Sequence, residues 1–201
     1  TLPVDIGFFF TQEFLKEFLD LYPEVQIELI LSQERLDLVK EEIDIALRVG
    51  THEDSTLIAK KIADITLKLF ASKDYVAKYG EPTHPRDLSQ HRCLLFRNKN
   101  VINTWGFQKG KQKIDIKLNG LLISNDFNSL LEAVKMGIGI AYLPSTTFQK
   151  ECQRGGTIVD ILSDWCKTTS AVSLVYPSKK FLTPKMKAFI DFVESKKHLL
   201  T

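Results

Sequence analysis

Long apolar runs are missing from this 201-residue sequence. None approaches the roughly 18–20 residues that a membrane-spanning helix needs, and no basic start followed by an apolar stretch suggests a signal peptide. An excess of one charge is missing too. Twenty-seven Lys and Arg stand against 25 Asp and Glu, a net charge of +2, which gives no electrostatic case for a nucleic-acid-binding surface. The paired lysines at 60–61, 179–180 and 196–197 and the stretch Lys109-Gly110-Lys111-Gln112-Lys113 are scattered, as solvating charges are. The opening Thr1-Leu2-Pro3 lacks an initiator methionine and is expected to belong to a fragment or processed form.

Cysteine is scarce. Cys93, Cys152 and Cys166 form no C-x-x-C, and the four histidines (His52, His84, His91, His198) show no metal-ligand spacing with them. This excludes the common zinc frameworks and points to a reducing, cytoplasmic setting. His91 and Cys93, two residues apart, can share one strand face as a nucleophile pair. However, Cys93 leads the apolar run Leu94-Leu95-Phe96, where a buried thiol acts as a small hydrophobe. No G-x-S-x-G, H-E-x-x-H or phosphate-loop pattern occurs. No catalytic residue, metal or cofactor is expected.

What is present alternates between two periods. Residues 8–22 carry Phe14, Leu15, Phe18, Leu19 and Tyr22 on one helical face and stop at Pro23. Val25, Ile27, Leu29 and Leu31 alternate as a strand does, and a short helix is expected over 36–42 and a strand over 44–49, closed by Gly50. This rhythm predicts parallel strands with crossover helices. After a loop at 51–56, the pattern gives a strand at 65–71, a helix at 73–79, a helical turn at 85–88 and a strand at 93–96. Trp105 and Phe107 then face Ile114, Ile116 and Leu118 as a hairpin across the Lys-rich turn. Strands at 121–124, 140–143, 158–162 and 171–176 follow, with helices after Asn125-Asp126, over 145–154 and from Thr183-Pro184 onward. Two α/β lobes with crossings at 67–72 and 172–177 fit this order, a double-crossing hinge with an interlobe crevice at strand carboxyl ends.

Candidate contacts follow from those strand and helix ends. Asn125 and Asp126 open a helix, where capping alone and capping with ligand contact both remain open. Gly137 suits a positive-φ helix end, and Gly139 suits a close backbone approach. Ser32 and Gln33 end one strand and Arg48, Val49 and Gly50 another. Arg48 fits either a ligand carboxylate or an internal ion pair. Phe96, Arg97 and Asn98 end the corresponding second-lobe strand. Trp105 is read chiefly as core and secondarily as a pocket wall.

Several segments together resemble one family: FLDLYPEVQIELIL (18–31), DLVKEEIDIALRVG (37–50), LIAKKIADITLKLFASKDYVAKYGEPTHPRDLSQHRCLLF (57–96), EAVKMGIGIAYLP (132–144) and VYPSKKFLTPKMKAFIDFV (175–193). Their order and spacing resemble the effector-binding domain of LysR-type transcriptional regulators, and Trp105-x-Phe107 looks like one branch of it. The resemblance implies an α/β, two-lobed, periplasmic-binding-protein-like (type 2) fold, with 1–71 plus 177–201 as lobe I and 72–176 as lobe II. It also implies a small-molecule effector between the lobes, a homodimer or higher homo-oligomer, and no membrane partner. Promoter DNA would be bound through an amino-terminal winged helix-turn-helix absent from this chain. A transport-associated solute-binding protein of the same fold is the alternative. By the same resemblance Asp5, Ile6, Gly7 and Phe8 line the first-lobe side of the site, and Asp5 stands where the family usually has serine or threonine. A carboxylate there disfavours anionic effector groups and favours amine or hydroxyl donors. A cap on the following helix is its other reading.

Overall fold

The computed structural model describes residues 1–50, 57–97, 103–146, 151, 155–165, 168–177 and 182–200. In chain order the elements are α1 (Val4–Phe10), a π-helical turn (Thr11–Leu15), α2 (Lys16–Leu21), β1 (Ala46–Val49), β2 (Ile58–Ser72), α3 (Lys73–Tyr79) and a 3-10 turn (Pro85–Gln90). There follow β3 (Cys93–Phe96), β4 (Thr104–Lys109), β5 (Gln112–Lys117), β6 (Gly120–Ser124), α4 (Phe127–Lys135) and β7 (Ile140–Pro144). β8 (Ile158–Ile161), β9 (Thr168–Tyr176), α5 (Pro184–Ser195) and a last 3-10 turn (Lys197–Leu200) complete them. The chain divides into two compact units, Thr1–Ile65 with Ser170–Thr201, and Thr66–Thr169. It passes between them twice, along β2 and along β9. The sequence-based boundaries at 71/72 and 176/177 lie six and seven residues later than these. The offset has a reason: 67–70 pair with β7 of the second unit, and 172–175 pair with β1 of the first.

In the first unit, the helix predicted over 8–22 begins earlier, at Val4, because Pro3 takes the position before it and proline suits a helix start. Ile6, Phe10, Phe14 and Phe18 recur every four residues and are all buried. Four residues advance about 400° around an α-helix, so a strict four-residue stripe drifts by ~40° per step. The π-turn at Thr11–Leu15 underwinds the helix and corrects that drift, and the Thr11 hydroxyl donates to the Gly7 carbonyl at 2.9 Å inside it. The stripe packs on α5: Phe18 meets Phe189 edge-on at 5.2 Å and Phe192 at 5.3 Å, and Phe10 stacks on Phe14 at 4.9 Å. Thr183 caps α5 by accepting from the Met186 N–H.

Two expectations fail here. The alternation does appear in burial from Val25 to Ile30 but stops at the exposed Leu31, and the segment makes only one bridge, Leu2 to Leu31, instead of a strand ladder. Pro3 has no N–H and Val4 already turns into α1, so the neighbouring chain supplies no further rung in that direction. The helix expected over 36–42 is a single turn. Asp37 caps it by accepting from Val39 and Lys40 N–H, and Glu42, at φ +52°, ends it.

The second unit is a mixed sheet, not the parallel one predicted. β2 pairs antiparallel with β7 and with β8, while β3 lies parallel to both β6 and β7. In the first unit β1 is likewise antiparallel to β9. Sequence period reveals a strand but not its direction, and the returning β2 and β9 reverse the sense at each crossing. β3 and β7 are buried on both faces, as their unbroken apolar runs require. Cys93, Leu95, Ile140 and Tyr142 face one core with Trp105, Phe107 and Trp165. Leu94, Ala141 and Leu143 face the other, under Leu130, Ala133 and Val134 of α4. The predicted hairpin forms, with Trp105 opposite Ile116 and Phe107 opposite Ile114, while Leu118 falls beyond the paired residues. Trp105 is a core residue, edge-on to Tyr142 at 5.0 Å. The helix expected over 145–154, Cys152, Cys166, the loop 51–56 and Asn98 lie wholly or mostly outside the described residues.

Candidate functional site

Because β3 is parallel to β6 and β7, all three strands end at one edge of the second unit, and α4 begins there. Phe96 and Ser124 are register partners at that edge, and the Arg97 N–H donates to the Ser124 carbonyl at 2.8 Å. Ser124 Oγ accepts from the Asp126 N–H at 3.1 Å, a tight turn that leaves Asn125 exposed between them. Asp126 is the helix cap. Its carboxylate accepts from Ser129 N at 2.9 Å, Ser129 Oγ at 2.7 Å and Asn128 N at 3.3 Å. Burial alone would raise its pKa, and the bonds from Ser129 and Asn128 outweigh burial and hold the carboxyl below its ordinary value. The ring of Phe127, the first residue of α4, lies parallel to Phe96 at 4.0 Å. The rim is thus an aromatic pair, a hydroxyl, an exposed amide and a carboxylate. Ligands of α/β folds are commonly met at strand carboxyl ends of this kind.

Replacing Asp126 by alanine is expected to cost about 1–2 kcal/mol of stability. A depressed folded-state pKa contributes stability above the unfolded value, near ~3.9, that is lost as pH falls through the folded value. Urea titrations should therefore separate the variant from the parent fully at pH 7 and less with each step below about pH 4.

Sequence reasoning missed Ser124 and Phe127. The signal for Phe127 was available, an aromatic directly after a cap on the rim side. Gly139 belongs elsewhere. It precedes β7, whose first residue pairs with Cys93 at the start of β3, so it sits at the opposite strand end from Phe96, packed on the Arg92 carbonyl. Gly137 does end α4 at φ +69°.

In the first unit, Asp5 and Gln33 come together: Gln33 Nε2 donates to Asp5 Oδ1 at 3.3 Å. Asp5 does not cap α1, since Pro3 holds that position and α1 has no side-chain cap; it lies within the first turn, where a negative charge suits the helix dipole. Gly7 is buried beneath Leu31, and a Cβ there would come within 2.5 Å of Leu31 Cδ2. Ile6 is core, whereas Phe8 is 59% exposed. Ser32 Oγ accepts from the Glu34 N–H, which keeps it in a local turn. Arg48 Nη2 donates to the Leu36 carbonyl at 2.7 Å, an internal structural contact. Val49 is half-buried against the first core, and Gly50 turns the chain at φ +91°.

The nucleophile pair does not form. His91 Nδ1 is 3.1 Å from the Tyr75 hydroxyl, and the Cys93 thiol donates weakly to the Leu88 carbonyl. Burial pushes that thiol up to about 12, so it is not a thiolate at neutral pH. Among the described residues no group of His, Cys, Asp and Glu is placed to hold a metal ion, and no helix is long and apolar enough to cross a membrane.

The family model described as "LysR substrate binding domain" matches residues 1–197. The chain belongs to the LysR substrate-binding domain family. An HTH-type transcriptional regulator of Xanthomonas campestris pv. campestris (strain 8004) is 35% identical over 197 residues, 96% of this chain and 57% of the relative. An uncharacterized HTH-type transcriptional regulator of Haemophilus influenzae is 32% identical over 187 residues, 92% of this chain and 64% of the relative. The chain therefore spans little more than half the length of these LysR-type relatives. Among solved structures, the CrgA regulatory domain of Neisseria meningitidis superposes with a TM-score of 0.86 at 25% identity, covering 97% of this chain and 95% of that one. The full-length Vibrio cholerae virulence activator AphB gives 0.80 at 29% identity, covering 90% and 62%. These likenesses establish the periplasmic-binding-protein-like type 2 fold of LysR regulatory domains.

Proposed function

We propose that this LysR domain is the effector-sensing module of a larger, cytoplasmic transcription regulator that binds a small metabolite and performs no chemistry on it. The relatives' names favour this reading over a transport-associated solute receptor of the same fold. Its strongest structural support is the rim at the ends of β3 and β6, where Phe96 and Phe127 offer an apolar platform and Ser124 and Asn125 offer hydrogen bonds. Within the first unit, the Asp5–Gln33 corner is a separate polar contact for an effector. The effector biases two arrangements of the protein by its difference in affinity for them. A DNA-binding segment outside this chain converts that bias into promoter occupancy. Homo-oligomers form through the apolar residues exposed on the first helical rod (Leu19, Leu21) and on β6 (Leu121, Leu122, Ile123).

The corner carries a carboxylate, Asp5, beside the Gln33 amide. Such a carboxylate favours effectors with an amine or hydroxyl donor over simple aromatic or dicarboxylic acids. A thermal-shift screen of amines, polyols and carboxylic acids against the parent and Asp5→Ser checks this. Amine or hydroxyl ligands should lose about tenfold or more in affinity on substitution, the size of a lost hydrogen bond to a charged group. An unchanged ranking of the ligands removes Asp5 from the site.

A further inference from the structure

Where α3 meets the start of β3 in the second unit, the hydroxyl of the buried Tyr75 ties two consecutive residues to the helix. Tyr75 Oη accepts from the Arg92 N–H at 3.0 Å and lies 3.1 Å from His91 Nδ1. The Arg92 carbonyl in turn accepts from the Ile140 N–H at 2.8 Å, so one short run of bonds joins α3, β3 and β7. A hydroxyl has one proton to donate and two lone pairs. Burial pushes the Tyr75 pKa up, so that proton stays in place at neutral pH. With the Arg92 amide on one lone pair, the acceptor it faces among the described residues is His91 Nδ1. The pattern assigns His91 as a neutral imidazole carrying its hydrogen on Nε2.

We propose that Tyr75 and His91 form an acid-sensitive latch, closed while the imidazole is neutral and loosened when it takes a proton, so that α3 and the first residues of β3 and β7 open more readily below neutral pH. In the imidazolium both ring nitrogens are donors. Its Nδ1–H would face the hydroxyl, whose own proton would then lose its acceptor. The charges around the ring do not offset this. From α3 come Tyr79, whose ring lies 4.8 Å from that of Tyr75, and the Lys78 cation 5.2 Å over the Tyr79 ring; the Arg92 guanidinium covers that ring too, at 5.0 Å. From the 3-10 turn comes Asp87, which favours the imidazolium, but its carboxylate already accepts from the Thr83 and His84 N–H groups at 3.0 and 2.9 Å. Cys93 is a neutral thiol, and Gly139 and Ile140 at the start of β7 carry no charge. Burial outweighs Asp87 and holds the His91 pKa below its ordinary value. A histidine with a depressed pKa takes its proton more readily in the opened state. The latch is therefore at full strength above about pH 6.5 and weakens as pH falls below it. It responds to acidity with no ligand present, an input separate from the rim at the carboxyl end of β3.

Amide hydrogen exchange followed by NMR on the 201-residue chain tests the latch. Protection at Arg92, taken relative to the intrinsic rate at each pH, is expected to fall at least ~3-fold between about pH 7.5 and pH 5.0. Ile140 should move in the same direction, while the buried Val134 of α4 holds its protection. His91→Gln offers the hydroxyl an acceptor that does not titrate and should abolish the fall. Tyr75→Phe should leave Arg92 poorly protected at both pH values. The His91 ring signals of the parent should titrate with a midpoint below about 6.5. An equal fall in the parent and His91→Gln, an equal fall at Val134, or a His91 midpoint at or above about 6.5 overturns the proposal. Should His91→Gln fold poorly, the parent's own midpoint and its comparison of Arg92 with Val134 still decide.

Discussion

Truncating Phe14 to alanine is expected to cost about 3–5 kcal/mol, the range for deleting a fully buried aromatic ring. Phe14 is 0% exposed and touches three other rings, stacked on Phe10 at 4.9 Å, tilted against Phe9 at 5.8 Å and edge-on to Phe192 at 6.4 Å. It also lies in the π-turn, so its loss removes the residue that fixes the helical rod on α5. A cavity in a cluster of rigid rings collapses poorly, which places the cost toward the upper end. Both tryptophans, Trp105 and Trp165, are in the second unit. Far-UV circular dichroism and tryptophan emission therefore follow unfolding with different weights on the two units. The dichroism midpoint should fall by roughly 2–4 °C per kcal/mol, and the shift of the emission midpoint reports how far the second unit unfolds with the first. An unchanged dichroism midpoint would sink the prediction.

Most elements were legible because their signals are local. Thr183 and Asp126 are caps that the sequence displays directly, and each accepts from backbone N–H two or three residues on. The helix 73–79 and the strand 93–96 have the predicted bounds, since Gly80 ends one and apolar residues on both faces define the other. What failed was non-local. The run 25–31 has strand periodicity, but a strand needs a neighbour, and Thr1-Leu2 provides one only at Leu31. Parallel order was inferred from alternating strands and helices, yet β2 enters the second unit antiparallel to β7 because a crossing strand arrives from the other side. In the candidate site, Phe96, Asn125 and Asp126 fall at one edge because they end parallel strands or start the helix between them. Gly139 was grouped with them by its place in the sequence, and the register of β3 against β7 sends it to the other end.

Gly139 therefore offers a sharp distinction between a structural and a ligand-contacting residue. A Cβ added there would lie 2.3 Å from the Arg92 carbonyl oxygen and 3.1 Å from Leu94 Cδ2. The nearer atom is backbone, and the same carbonyl accepts from Ile140 N–H at 2.8 Å where β3 and β7 begin their pairing. The methyl group can be admitted only by separating those strands, so strain and a weakened hydrogen bond add. Gly139→Ala is expected to destabilise the protein by about 2–4 kcal/mol on these two grounds. Gly7→Ala should cost less, because the atom it meets is the flexible end of Leu31. Gly137→Ala should cost about 1–2 kcal/mol from its positive φ alone. Chemical denaturation of all three without any ligand ranks them. If Gly139→Ala keeps its stability and instead weakens effector binding, Gly139 returns to the ligand site and the packing argument fails.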